Sequence, residues 1–407
     1  LSPLKLLNLK PGDTVIVSYW FEDCKGHIEA VNPGEEVEVY GKVYPWYISV
    51  CDRSDYYIKK VSPKSVEGYY WIKTYGGPDW DVGWSVAIAP NGDIIVAGET
   101  NSFGKGDYDF WVLRLDPSGY IKWQKTYGGS DYDSAHAISI APNGDIIVAG
   151  ITYSFGASKG AGKPDIWVLR LDSNGNIKWQ KTYGGSEGDA IAAIGIEQNG
   201  DIIIVSVYGQ CPPYTDTNIL RLDSDGNIKW QKTYENYRAR DVAIAPNGDI
   251  IVVGSTSTGG ISVLRLDPSG YIKWQKTYGG SDYGFAHVSI APNGDIIVAG
   301  QTWLLNNTNP WIGDACVFRL DQNGNIKWQK IFLHKEFKDR WSYVAYEVSI
   351  APNGDIIVVG DIWHDDTSGY GWILRLDPNG NMKWLRTYYY WWIYIWSLSV
   401  ASSGDII

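Results

Sequence analysis

The sequence is short of cysteine, phenylalanine and concentrated positive charge, and each shortage closes off a class of protein. Only four cysteines occur in 407 residues, at Cys24, Cys51, Cys211 and Cys316. None forms a C-x-x-C pair, so the spacing carries no zinc-finger signature. Cys24 and Cys51 share the N-terminal segment, where a single disulfide is one of two open readings; Cys211 and Cys316 fall in different repeats and read as free thiols. The net charge is -11 and no Lys/Arg-rich run exists, which argues against a nucleic-acid backbone as partner. No apolar run reaches the ~18 residues that a membrane span needs. The greasiest stretch, residues 388–401, alternates like a strand. Against 8 Phe stand 21 Trp and 29 Tyr, rings with an apolar body and a polar tip that suit half-exposed packing and binding surfaces.

What the sequence has is repetition. The phrase A-P-N-G-D-I-I-V-A-G occurs at 89–98, 141–150 and 291–300, with near copies around Gly200, Gly248, Gly354 and Gly404. Seven copies about 50 residues apart, built only of short strands, predict a seven-bladed β-propeller. Residues 135–183 illustrate one unit. A short apolar inner strand (135–141) turns at Pro142-Asn143-Gly144 into a nearly all-apolar second strand (145–151). After a variable loop comes a third strand (165–172), a tight turn at Ser173-Asn174-Gly175 and an outer strand (176–183). Asn and Gly tolerate the positive φ of tight hairpins. A lone four-stranded antiparallel sheet leaves both faces bare, so the units must stack as blades. The outer strand carries a Trp in each copy: Trp71, Trp123, Trp179, Trp230, Trp274, Trp328 and Trp384. A residue repeated seven times reads as an inter-blade wedge. Arg114, Arg170, Arg221, Arg265, Arg319 and Arg375 in the third strands read as stacking on aromatics or pairing with a strand-end Asp.

The stretch L-D-x-x-G-x-I-K-W, as at 171–179, resembles the tryptophan-docking repeat of quinoprotein-type propellers and the repeats of secreted prokaryotic propellers. The resemblance covers roughly residues 69–407 and implies the fold. It implies no quinone, because the turn before the Trp is one residue shorter and no adjacent Cys-Cys pair is present.

The third-strand phrase occurs clearly only six times, and the last unit stops within its second strand. The expectation is that residues 56–75, including Y-Y-W-I-K-T-Y at 69–75, pair with 395–407 and close the ring, leaving no raw sheet edge; strand donation by a neighbouring copy is the alternative. The domain reading is thus a small β domain at 1–55 and a propeller at 56–407. The run P-G-E-E-V-E-V-Y-G-K-V in the first domain is similar to a strand of an OB-type barrel.

Function belongs on the variable loops, which emerge on one face. Three groups of residues there are candidates. Asp79, Asp131 and Asp282, with Asp81, Asp133, Glu187 and Asp189, lie at the loops before inner strands; converging carboxylates could hold Ca2+, or each Asp could cap its own turn. The sixth unit adds His334 in the loop before it and His364, Asp365 and Asp366 in its variable loop, a set that suits a transition metal or acid–base chemistry. Large aromatics form the third group: Trp80, Tyr132, Phe155, Tyr283, Trp303, Trp311, Trp341, Trp363, Trp391 and Trp392. They suit a protein interface, a sugar, or satellite packing. His136 and His287 read as equivalent inner-strand positions with a structural role. The reading is a non-enzymatic scaffold for protein or self-assembly contacts, with no obligatory cofactor. A carbohydrate-binding or carbohydrate-cleaving propeller and a metal-dependent enzyme are the alternatives. The Leu at position 1 fits removal of an export signal or a fragment, and Asn306-Asn307-Thr308 is a glycosylation sequon. Both lead to an expected extracellular or cell-surface location.

Overall fold

The computed structural model describes residues 73–407 except 159–161, 186–187, 209–215, 258, 280–284, 303–313, 333–340, 365–368 and 389–394. Before residue 73 it describes four short backbone strands, and of residues 208, 302, 314, 341–342, 363–364 and 369–370 the backbone alone. Among these residues no helix is long and apolar enough to cross a membrane.

In the second blade the inner strand Asp133–Ile140 pairs with Ile146–Thr152, that with Asp165–Leu171, and that with the outer strand Ile177–Tyr183, all antiparallel. The third strand is buried along its whole length, whereas the outer strand alternates exposed and half-buried residues. That gradient follows from position, since a middle strand is covered by blades on both sides. The hydrophobic cores therefore lie between blades. One joins Ile95 and Val112 of the first blade to Ile138, Val148 and Leu169 of the second. Fully burying each such side chain stabilises the stack by ~1.5–3 kcal/mol.

Six blades of this kind are complete, spanning 81–127, 133–183, 189–234, 237–278, 286–332 and 341–388. Seven were expected. After the sixth blade the described chain supplies a hairpin, in which Val400 bridges Ile406 and Ser399 exchanges two 2.9 Å hydrogen bonds with Ile407. The hairpin sits between the sixth blade and the first. Its Leu398 packs on Ile357 and Val359, and the Ile395 amide donates to Asp361 Oδ1 at 3.1 Å. On the other side the Val86 amide donates to Ser397 Oγ at 3.3 Å.

Each of the first five blades holds the next by one repeated clamp. In the six complete blades the Asp of the Gly-Asp phrase accepts from a third-strand Arg and an outer-strand Lys, as when Asp249 takes Arg265 Nε at 2.7 Å and Lys273 Nζ at 2.8 Å. Burial alone would raise the Asp249 carboxyl, but Lys273, Asn247 and Arg265 outweigh it and hold it below the usual carboxylate range. Arg265 Nη1 then reaches forward to the Gln322 carbonyl of the next blade at 2.6 Å, the carbonyl that Trp274 Nε1 also meets at 3.0 Å. Tyr278 Oη donates to Gly324 O in the same turn at 2.6 Å. Trp123, Trp179, Trp230 and Trp328 donate to the equivalent turns. Trp384 lies under the Arg386 guanidinium, and Trp71 falls outside the described residues. Gly324 adopts φ +75°, and a Cβ there would press on the Trp274 ring at 3.0 Å, so the docking site itself requires glycine. Tyr75 donates to Gly119 O at 2.7 Å, the same contact made from the position that precedes the first blade.

The chain divides into two compact units, Leu1–Thr74 and Tyr75–Ile407. In the first unit Tyr57–Val61 takes a ladder partner from Glu36–Tyr40. Nested within that pair, Lys42–Val43 meets Ile48–Ser49. Two short ladders, rather than an OB-type barrel, are what is described there; Cys24 and Cys51 lie outside the described residues.

Candidate functional site

The inner strands line the axis, and a β-bulge decides which of their side chains face it. In the first four blades and the sixth, the inner-strand register slips by one residue opposite the second strand. In the second blade the slip falls opposite Gly150, where an added Cβ would overlap the Ser134 carbonyl oxygen; the glycine of the repeated phrase is what lets the bulge form. Eight residues before the Asp of each Gly-Asp phrase stands one equivalent position, which in the five bulged strands is the residue just after the bulge. Around the ring these are Ser85, Ala137, Ala193, Asp241, His287, Glu347 and Ser397. Their side chains reach sideways to the next inner strand. Ser85 Oγ accepts from the Ile138 amide at 3.3 Å, Ser397 Oγ from Val86, and Asp241 Oδ2 from Val288 at 2.9 Å.

Three consecutive members of this ring bring a carboxylate, an imidazole and a carboxylate together, with ligating atoms of Asp241, His287 and Glu347 all within 4.8 Å of one another. Asp241 Oδ2 stands 3.7 Å from His287 Nδ1, and its Oδ1 accepts from the Val242 amide at 2.7 Å. Glu347 Oε1 accepts from the Val348 amide at 3.2 Å. Burial raises both carboxyls, and the Asp241 charge pushes Glu347 further. Burial, and then the nearby Arg240 guanidinium, pushes the His287 imidazole down to about 3. His287 and Asp241 still keep 21% and 17% of their side-chain surface open.

Beside the trio runs an arc of stacked side chains. The Arg240 guanidinium lies 4.7 Å over the Phe285 ring. Phe285 meets Tyr346 at 5.9 Å, Tyr346 meets Trp396 at 4.9 Å, Trp396 meets Trp84 at 5.5 Å, and Trp84 meets His136 at 5.9 Å. All but Phe285 stand one residue before the trio's ring, nearer the variable loops. His136 and His287 are therefore not equivalent: His136 occupies the bulge, and its own counterpart in the trio's ring is Ala137. The bulge inserts a residue that a count from the loop end cannot see.

The loop-face candidates scatter. Asp81 accepts from the Gly77 amide at 2.6 Å and Ser102 Oγ at 2.7 Å, and Asp133 from the Gly129 amide at 2.8 Å; each ties its own turn. Asp79 and Asp131 are exposed, with their amides on Ser102 Oγ and Ser154 Oγ. Neither joins a group of three ligating side chains among the described residues. Phe155 is a packing residue, 4.9 Å from Trp167. Tyr132 stacks between Tyr108 and Tyr153 and donates to Glu99 Oε2 at 2.6 Å. With Asp107, Ser130, Asp131 and Tyr153 it lines a cleft of ≈ 600 Å³. Trp80 is 74% exposed. Trp341, Trp363 and His364, expected in loops, belong to strands: Trp341 pairs with His364 and Ser342 with Trp363, because the sixth blade's inner hairpin runs longer than the others. Tyr283, Trp303, Trp311, Trp391, Trp392, Asp282, His334, Asp365 and Asp366 lie outside the described residues.

Fold and axis together define an all-β propeller of four-stranded antiparallel blades with a polar cluster on its inner strands. Consistent with that class, a family profile described as a domain of unknown function (DUF5122) beta-propeller matches residues 89–120 and 351–382. The chain is 25% identical over 203 residues to the regulatory protein FlaEY of Caulobacter vibrioides, an alignment covering 43% of this chain and 21% of that protein. It thus spans about a fifth of that relative's length. Among solved structures it is similar to the periplasmic gluconolactonase PpgL of Pseudomonas aeruginosa (TM-score 0.51, 12% identity, 87% of this chain and 96% of that one). It is also similar to a mutant puromycin hydrolase (TM-score 0.50, 13% identity, 86% and 52%). At such identities these two likenesses concern the fold alone.

Proposed function

We propose that the chain is a non-catalytic recognition scaffold whose variable-loop face docks another protein, in the first instance a second copy of itself. The observation that carries this is Trp80, a 74% exposed ring at the head of the first blade, on the same face as the Tyr132–Tyr153 cleft. Large exposed rings held on a rigid frame are what interface centres use. Sedimentation velocity on the full chain tests the reading: association that strengthens with concentration and weakens in Trp80→Ala supports it, and a monomer at every concentration refutes self-docking. A second reading, carbohydrate binding, rests on the cleft, where tyrosine rings stand beside Asp107 and Asp131; a glycan array without signal removes it. The same proposal places the chain at the cell surface or in an extracellular filament, with the sequon as its support. Protease protection on intact cells rules that out.

We further infer a seven-fold ring whose last blade is completed by residues 56–75 pairing with 395–407. Two contacts support it. Ser397 meets the first blade as Ser85 meets the second, and Tyr75 makes the turn contact that Tyr127, Tyr183, Tyr234 and Tyr278 make. Deleting residues 1–75 is expected to abolish cooperative unfolding; a truncated chain that melts normally overturns the closure, and rescue by concentration points to donation between copies.

A further inference from the structure

We propose that Asp241, His287 and Glu347 form a binding site for one divalent first-row transition-metal ion, of the Zn2+ or Mn2+ class, on the axis of the ring. Three features of the trio point there. The ligand types suit such an ion: two hard carboxylate oxygens alone would favour Ca2+ or Mg2+, and the imidazole shifts the preference toward Zn2+ or Mn2+. The framework is rigid, because the three residues occupy one structural position on three successive inner strands, each fixed by its own ladder, with a bulge just before Asp241 and just before Glu347. And the trio departs from its own repeat, since the same position carries Ser or Ala in the other four copies.

The arrangement around the trio is what a metal site needs in its outer layer. Asp241 is oriented by two backbone amides, Val242 and Val288, and Glu347 by Val348; such bonds fix the carboxylates in place before an ion arrives. Among the described residues no Lys or Arg forms an ion pair with either carboxylate. Arg240, whose charge acts on His287, is turned onto the Phe285 face. Two buried carboxylates without a cation repel one another, and a dication removes that cost. The neutral imidazole at physiological pH is the form that ligates. Three protein ligands leave at least one coordination position open toward the channel, and the partial exposure of His287 and Asp241 provides access. The inference does not depend on the loop-face docking reading.

Isothermal titration of the chelator-stripped full chain at pH 7.5 with ZnCl2 and with MnCl2 tests this. The expected result is one equivalent bound that disappears, or weakens at least tenfold, in both His287→Ala and Glu347→Gln, while CaCl2 binds at least tenfold more weakly. Co2+ provides a second readout, with visible absorption bands in the parent chain and none in the two variants. Circular dichroism of the variants separates loss of the site from loss of the fold. If Glu347→Gln keeps its fold and its equivalent of metal, the site is elsewhere and the proposal fails. It fails equally if the parent prefers Ca2+, or if it binds no ion, in which case the trio is a proton-sharing cluster.

Discussion

The blade clamp and the axial trio both bury carboxylates, and they treat them in opposite ways. Asp249 is 1% exposed but meets Arg265 and Lys273, so its charge is retained. Asp241 and Glu347 are met by backbone amides, an imidazole and each other, so burial drives them toward the protonated form. The clamp recurs in every blade, as structural devices do. The trio occurs once, on three adjacent strands. A buried acid that brings its own counter-charges is part of the frame, and one that lacks them stands ready for a cation from outside.

The largest effect is expected in the clamp. Asp249→Ala strands Arg265, whose side chain is 5% exposed, and is expected to cost about 3–5 kcal/mol in urea unfolding; a loss under 1 kcal/mol would mean that the turn carbonyl at Gln322 suffices for the guanidinium. Trp274→Ala removes a half-buried wedge and its bond to Gln322 O, for an expected ~2 kcal/mol by the same assay. The trio is expected to answer with the opposite sign. In the metal-free chain Glu347→Gln raises stability by ~1 kcal/mol, since it relieves a buried acid without a counter-charge.

The pH windows differ as well. The Asp249 carboxyl is held below its unfolded value, so its contribution is present above pH ~4 and is lost as the pH falls below that, through the lowered value of the folded state. The Glu347 carboxyl is raised, so its contribution is present at low pH and lost as the pH rises. The gain from Glu347→Gln is therefore expected to grow between pH 5 and 8, and thermal melts across that range check the slope. The smallest effect belongs to the outer clamp cation: Lys273 is 46% exposed, and Lys273→Met is expected to cost ~0.5 kcal/mol and less in high salt.

The two regions also differ in how far they can be read from the chain. The Gly-Asp, L-R-L-D and I-K-W phrases are audible because one contact set, from Asp249 to Arg265 and Lys273, is repeated nearly verbatim. The trio is silent for the converse reason. Its members are 46 and 60 residues apart, differ in type, and sit where the repeat elsewhere carries Ser or Ala. Counting back eight residues from each Gly-Asp aligns them. Matching His136 to His287 does not, because the bulge displaces the first by one. The long hairpin of the sixth blade was hidden similarly: Trp363 and His364 follow the apolar second strand and read as loop until their pairing with 341–342 is seen.

The forward reach of the clamp has a consequence for biosynthesis. Arg170 and Trp179 hold Ser224 O, and Arg265 and Trp274 hold Gln322 O, so each of the first five blades fastens to a turn some 40–60 residues further along the chain. As the polypeptide leaves the ribosome, the fastening residues of a blade appear before the thing they fasten to has been translated. Each of the first five blades can therefore complete its fastening only once the turn of its successor has been made.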